Sequence, residues 1–221
     1  MNIGQCDAQP VLTGKLVILR PLAPDDFDAL YAVAADPRIW EQHPIADRHE
    51  EARFREFFQD ALTSGGAFIV LDRSTQTVIG SSRYHGYDPV RREVEIGWTF
   101  LARSHWGGRY NGEMKRLMLA HAFRWVERVV FLIGPQNIRS QRAVERIGGR
   151  RVGIRFDGGG RESLVYEITA SRDSSRIEIV QAIPRDLDTI MELVKACITR
   201  MQADAIDQWD GWMRFETILA R

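Results

Sequence analysis

The sequence predicts a mixed α/β domain over residues 11–170, with a central sheet of about seven strands and four helices, followed by a strand–helix extension. Three observations carry this expectation. Short apolar runs alternate with stretches whose apolar residues recur at spacings of three and four, so strands alternate with amphipathic helices. A glycine-rich turn stands between a period-two strand and a helix within residues 93–126. The opening strand–helix pattern also returns 160 residues later, from Pro24 to Pro184.

Composition narrows the class of function. With 44% hydrophobic and 27% charged residues, the 221-residue chain has an ordinary globular profile and enough length to bury a core. Its 30 Lys and Arg cancel 30 Asp and Glu, which argues against general electrostatic capture by nucleic acid or an anionic membrane. No apolar run approaches the roughly 20 residues of a membrane span, and Met1 to Pro10 is polar, without the apolar stretch of a signal peptide. Cys6 and Cys197 form no disulfide framework, so a reducing, cytoplasmic compartment is expected. The five histidines show no metal-ligand spacing, and no metal is expected.

The elements follow in order. Lys15 to Arg20 is an apolar run short enough for a buried strand, closed by Pro21 and Pro24. Asp25 can cap a helix through Phe27, Leu30, Val33 and Ala34. A second helix over Glu50 to Leu62 puts Phe54, Phe57, Phe58 and Ala61 on one face, and Ser64-Gly65-Gly66 ends it. Strands are expected at Ala67 to Leu71, Thr77 to Tyr84 and Glu93 to Leu101. The last alternates, with Val94, Ile96, Trp98 and Phe100 on one face and Glu93, Glu95, Gly97 and Thr99 on the other. The turn His105 to Gly112 leads into a helix over Glu113 to Val126. Val129 to Ile133 reads as a buried strand, Asn137 opens a helix that ends at Gly148-Gly149, and a hairpin crosses Asp157-Gly158-Gly159-Gly160. Residues 171–175 are a polar linker. Residues 176–221 repeat the first strand and helix without a glycine-rich turn, and so form a partial second copy. The apolar helix face of that copy needs a partner, which docking on the first domain or on another subunit would supply, and a homodimer is expected.

The order strand, glycine-rich turn, helix makes an anion site, because free N–H groups and the positive helix end meet there. The turn matches neither GxGxxG nor GxxxxGK[ST], so it lacks the nucleotide-binding fingerprints. Three segments give the first domain its character: Val94-Glu95-Ile96-Gly97-Trp98, Trp106-Gly107-Gly108-Arg109-Tyr110-Asn111, and Asn137-Ile138-Arg139-Ser140 with Ala143 to Gly148. In order and spacing they resemble the GNAT superfamily of N-acetyltransferases. With the opening LVILRPL, they look most like its branch that acetylates N-terminal amines of ribosomal proteins.

The resemblance implies acetyl-CoA as co-substrate and a small-molecule or peptide primary amine as acceptor, joined in a ternary complex. It places the pantetheine arm between two splayed strands, its amides paired with backbone of Phe100 and Leu101, and the backbone N–H near Trp98 or Thr99 would polarise the thioester carbonyl. Gly107, Gly108, Arg109, Tyr110, Asn111 and Gly112 would cradle the pyrophosphate. Asn137 and Ser140 would approach the thioester, and Arg142 or Lys115 the CoA phosphates. Ser140 would donate to the departing sulfur. Trp40 and His43, together with Tyr84 and His85, would line the acceptor site. Val144 stands where many members carry a tyrosine acid, and Arg109 where a glycine is usual. An amine attacks only as the neutral base, so a carboxylate beside the thioester must take its proton; Glu95 is the first candidate and Glu93 the second. The altered loop and the missing tyrosine leave the alternative of a catalytically inactive acyl-CoA-binding or assembly module of the same fold.

Overall fold

A computed structural model describes residues 7–170, with Met191, Glu192, Lys195 and Thr199 beyond them. The chain divides into two compact units, Met1–Arg172 and Asp173–Arg221, and nearly all described residues belong to the first. The expected linker and second strand–helix copy lie outside the described residues, apart from those four positions.

Eight strands form one mixed sheet: β1 (Leu12–Thr13), β2 (Val17–Pro21), β3 (Ala67–Asp72), β4 (Val78–Asp88), β5 (Glu93–Leu101), β6 (Arg128–Ile133), β7 (Arg150–Phe156) and β8 (Glu162–Thr169). Their order across the sheet is β1-β2-β3-β4-β5-β6-β8-β7. The strand beyond the expected seven is the two-residue β1, too short to show a periodicity of its own. The helices are α1 (Phe27–Ala34), α2 (Glu51–Thr63), α3 (Arg109–Ala122) and α4 (Ile138–Glu145).

Burial follows the strand period of two. In β3, Phe68 and Val70 join a core under α3 with Val17, Leu19, Met114 and Met118. Ala67 and Ile69 join a second core under α1 and α2 with Leu30, Trp40, Phe54, Phe57 and Phe58. A strand covered on both faces reads as a continuous apolar run, as β3 does. At the start of α1, Asp26 makes the stabilising contacts expected of Asp25. Its carboxylate accepts the Ala23 N–H at 2.8 Å and pairs with Arg20 at 2.8 and 2.6 Å.

Two features position the site. All pairs of the ladder are antiparallel except β5 with β6, and this parallel pairing covers only Glu93–Arg128, Val94–Val129 and Glu95–Val130. Beyond Glu95 the two strands part. Second, β5 carries a bulge. Its register against β4 shifts between Ser81–Phe100 and Arg83–Gly97, and Trp98 takes a positive φ of 49°. The alternation expected for the whole strand therefore fails past Gly97. Val94 and Ile96 pack under α3, whereas Phe100 belongs to the core under α1 and α2.

Candidate active site

Glu95 lies at the point where β5 and β6 part. Its neighbours Val94 and Ile96 are committed to the α3 core, so it points to the opposite face. Position 97 leaves it room, because a Cβ there would stand 2.9 Å from Glu95 Oε1. The Leu132 backbone of β6, beyond the last parallel pair, acts on the carboxylate from across the mouth of the split. Burial pushes its pKa up to about 7, against the opposing pull of the Arg155 charge, the Leu132 backbone, and the Arg83 and Lys115 charges. Glu93 is different. It is buried in ion pairs with Arg155 at 2.8 Å and Arg128 at 3.5 Å, which leave it a structural part.

The bulge has its own support on the α3 face. Lys115 is buried and donates from Nζ to Ser82 Oγ at 3.1 Å and to Thr99 Oγ1 at 2.5 Å. Desolvation lowers its pKa to about 7, with Glu95 opposing. Lys115 is therefore not on the helix surface and does not reach out to a phosphate. It fills the space that the bulge opens.

Gly107 and Gly108 both take φ of 102°, which a side chain would strain, and α3 begins directly after them. The expected loop over Gly107 to Gly112 thus contracts to two glycines. Arg109, Tyr110, Asn111 and Gly112 are the first turn of α3, which starts four residues earlier than Glu113. The Gly112 N–H is spent on Gly108 O, and the Tyr110 side chain turns to Asp72 Oδ2 at 2.9 Å, where His105 packs edge-on. No side chain caps the helix, so its first amides have no intrahelical acceptor. A Cβ at Gly107 would meet nothing within 4 Å, and one at Gly108 only Arg146 Nη1 at 4.0 Å. This is an open, positively polarised cradle. Arg109, the first residue of α3, and Arg142 of α4 are exposed, and Arg146, which sequence reasoning missed, stands beside Gly108. Arg146, which closes α4, could have been read from its spacing of one turn after Arg142.

The remaining expected residues divide. Asn137 caps α4 by accepting the Ser140 N–H at 3.1 Å, and the Ser140 hydroxyl bonds to no other described residue. Leu101 O accepts the Trp106 Nε1 proton at 2.9 Å. Phe100 and Leu101 send their side chains into the two cores. Tyr84, expected at the acceptor site, is buried under α3 and donates to Met118 O. Trp40 is likewise a core residue; its indole N–H donates to Ala34 O at 2.7 Å and its ring packs 5.1 Å from Phe100. Both are apolar rings in buried segments, and burial outweighs their polar tips. His85 is exposed, opposite Glu95 in the β4–β5 register, with its ring 4.7 Å from Trp98. His43 borders a cleft of about 420 Å³ with Pro44, Gly134, Pro135 and Arg161. Burial and the Arg48 charge lower its pKa to about 4, so it is neutral, with Nδ1 donating to Ile45 O and Nε2 accepting from Arg48.

Residues 17–150 match the family described as Acetyltransferase (GNAT) domain. The chain belongs to the GNAT acetyltransferase family. Among curated proteins, it is 26% identical over 145 residues to "Uncharacterized N-acetyltransferase YnaD" of Bacillus subtilis (strain 168), covering 65% of this chain and 84% of that protein. Among solved structures, it resembles a GCN5-related N-acetyltransferase from Brucella melitensis, with 23% identity, a TM-score of 0.62 and coverage of 73% of this chain and 79% of the other. Mycobacterium smegmatis RimJ in complex with CoA-disulfide is similar at 20% identity and a TM-score of 0.56, over 77% and 86% of the two chains. These likenesses support the GNAT fold, a mixed sheet of eight strands with four helices. Among the described residues, no group of three His, Cys, Asp or Glu could hold a metal ion, and no helix is long and apolar enough to cross a membrane.

Proposed function

We propose that this GNAT protein transfers the acetyl group of acetyl-CoA directly to a primary amine, in a cytoplasmic compartment, with Glu95 as general base. The observation that carries this reading is the half-buried Glu95 carboxylate, held near neutral pKa at the mouth of the split between β5 and β6. An exposed Glu95 turned away from the split would instead have favoured an inactive binding module.

The residues fit the donor. The uncapped start of α3 and the open space at Gly107 suit a pyrophosphate, and Arg109, Arg142 and Arg146 supply charge around it. Backbone of β5 beyond Glu95 has no β6 partner and can pair with the amides of the pantetheine arm. The RimJ neighbour is a complex with CoA-disulfide, which supports a CoA thioester as the donor. In the reaction the amine nitrogen bonds to the thioester carbon, the C–S bond breaks, and the nitrogen loses a proton. Glu95 takes that proton. The Ser140 hydroxyl, near the start of α4, is assigned to donate a hydrogen bond to the leaving thiolate, which takes its proton from solvent; Val144 stands at the position of the usual tyrosine acid. The opening LVILRPL supports the N-terminal-amine branch of the family, and we assign a homodimer as the working form.

The test is release of CoA thiol from acetyl-CoA with a panel of primary amines. Glu95→Gln is expected to lower the rate by roughly 10²–10⁴ while leaving CoA affinity unchanged. An unchanged rate removes Glu95 from the mechanism.

A further inference from the structure

Arg83 of β4 is one of the most deeply buried side chains of the domain, at 1% exposure. Its Nη1 donates to Asp60 Oδ2 of α2 at 2.6 Å, but its Nε and Nη2 have no hydrogen-bond partner. Buried polar groups are almost always satisfied, so an idle pair of N–H donors asks for a ligand. Nε and Nη2 form one edge of the guanidinium, the edge that takes both oxygens of a carboxylate side-on. The Trp98 ring lies 4.7 Å from the guanidinium carbon and the Phe57 ring 5.7 Å from it, and neither accepts a hydrogen bond from Nε or Nη2.

The surroundings share this polarity. Arg48 stacks on the same Phe57 at 4.8 Å, and the charges of Arg83 and Arg161 act on it. Arg161 lines the cleft beside His43, whose Nε2 holds Arg48 at 3.1 Å. Of the nearby carboxylates, Asp60 is occupied by Nη1, Asp47 pairs with Arg53, and Glu95 lies at the split. Half-buried Trp98, over which Arg83 stacks, belongs to the same strand segment as Glu95.

The geometry points to an acceptor subsite for a carboxylate: Arg83, with Arg48 behind it, binds the carboxylate of a small amino-acid-like molecule whose primary amine meets Glu95. This rests on the proposed acetyl transfer and takes a free amino acid, in place of a protein N-terminus, as the acceptor. A polyamine or a polycationic acceptor would instead bring a second positive charge against two arginines.

The experiment titrates the twenty protein amino acids, their carboxamides, and a diamine into the full chain saturated with CoA, by calorimetry, with thiol release from acetyl-CoA measured in parallel. At least one amino acid is expected to bind, with its carboxamide weaker by about tenfold or more. Arg83→Lys keeps the charge but loses the fork and is expected to abolish that preference. Arg48→Gln, at a less buried position, is expected to weaken the acid alone and covers the case in which the Arg83 variant fails to fold. Equal binding of acid and carboxamide, preference for the diamine, or no amino-acid binding overturns the subsite. Binding of the acid without thiol release keeps the subsite and refutes acetyl transfer; equal thiol release from acid and carboxamide does the reverse.

Discussion

Glu95 shows how one residue can be legible in a sequence while its environment is not. The alternation Glu93-Val94-Glu95-Ile96 put a carboxylate on the face away from an apolar core, and that much was readable. Which of the two glutamates stays unpaired was not, because the partners of Glu93 come from Arg128 and Arg155, brought near by β6 and β7. Arg83 was missed altogether. An arginine in an Ile-Gly-Ser-Ser-Arg-Tyr strand gives no local sign that two of its nitrogens will be buried without partners. The pH dependence follows from the raised value at Glu95. The base is the carboxylate, which predominates above about pH 7, so kcat/KM should fall as pH drops through that value. In Glu95→Gln this limb should vanish, leaving only the titration of the amine. A limb that survives the substitution would assign it to another group.

At the scale of elements, most were readable from periodicity and turn residues, and their boundaries were not. α3 begins at Arg109 because the two glycines before it take up the sharp change of direction, which frees Arg109 and Tyr110 to be helical. An arginine in a loop and an arginine at the first helical position look alike in sequence. The bulge in β5 was equally hidden. It depends on the buried Lys115, Ser82 and Thr99 cluster, whose members come from three elements. Gly108→Ala should cost about 1–3 kcal/mol in urea unfolding, since φ of 102° strains any side chain, and should weaken CoA binding. Arg146→Gln should weaken CoA binding without that loss of stability, and more so at low salt. If both variants bind CoA as the parent does, the pyrophosphate does not lie at the start of α3.

Across the whole molecule, the fold class came through because both faces of the sheet must be covered, and strands buried on two sides write a distinctive apolar run. The split between β5 and β6 did not come from periodicity. It entered through the resemblance of the motifs, and the short parallel ladder bears it out. The outermost strand β7 leaves Val152, Ile154 and Phe156 exposed. That apolar row, with the expected strand–helix copy after residue 175, leads to a test of assembly. Deleting residues 171–221 should leave the first domain folded, as read by its thermal transition, and should change its sedimentation. An unchanged profile would argue that the segment takes no part in association.

The central claim is that the two glycines and the uncapped helix receive acetyl-CoA, so that the split strands and Glu95 surround its thioester. Calorimetric titration of acetyl-CoA into the purified protein, with free CoA alongside, tests it most directly. The account predicts saturable binding with a dissociation constant below about 1 mM for both. No heat of binding up to several times that concentration would contradict it.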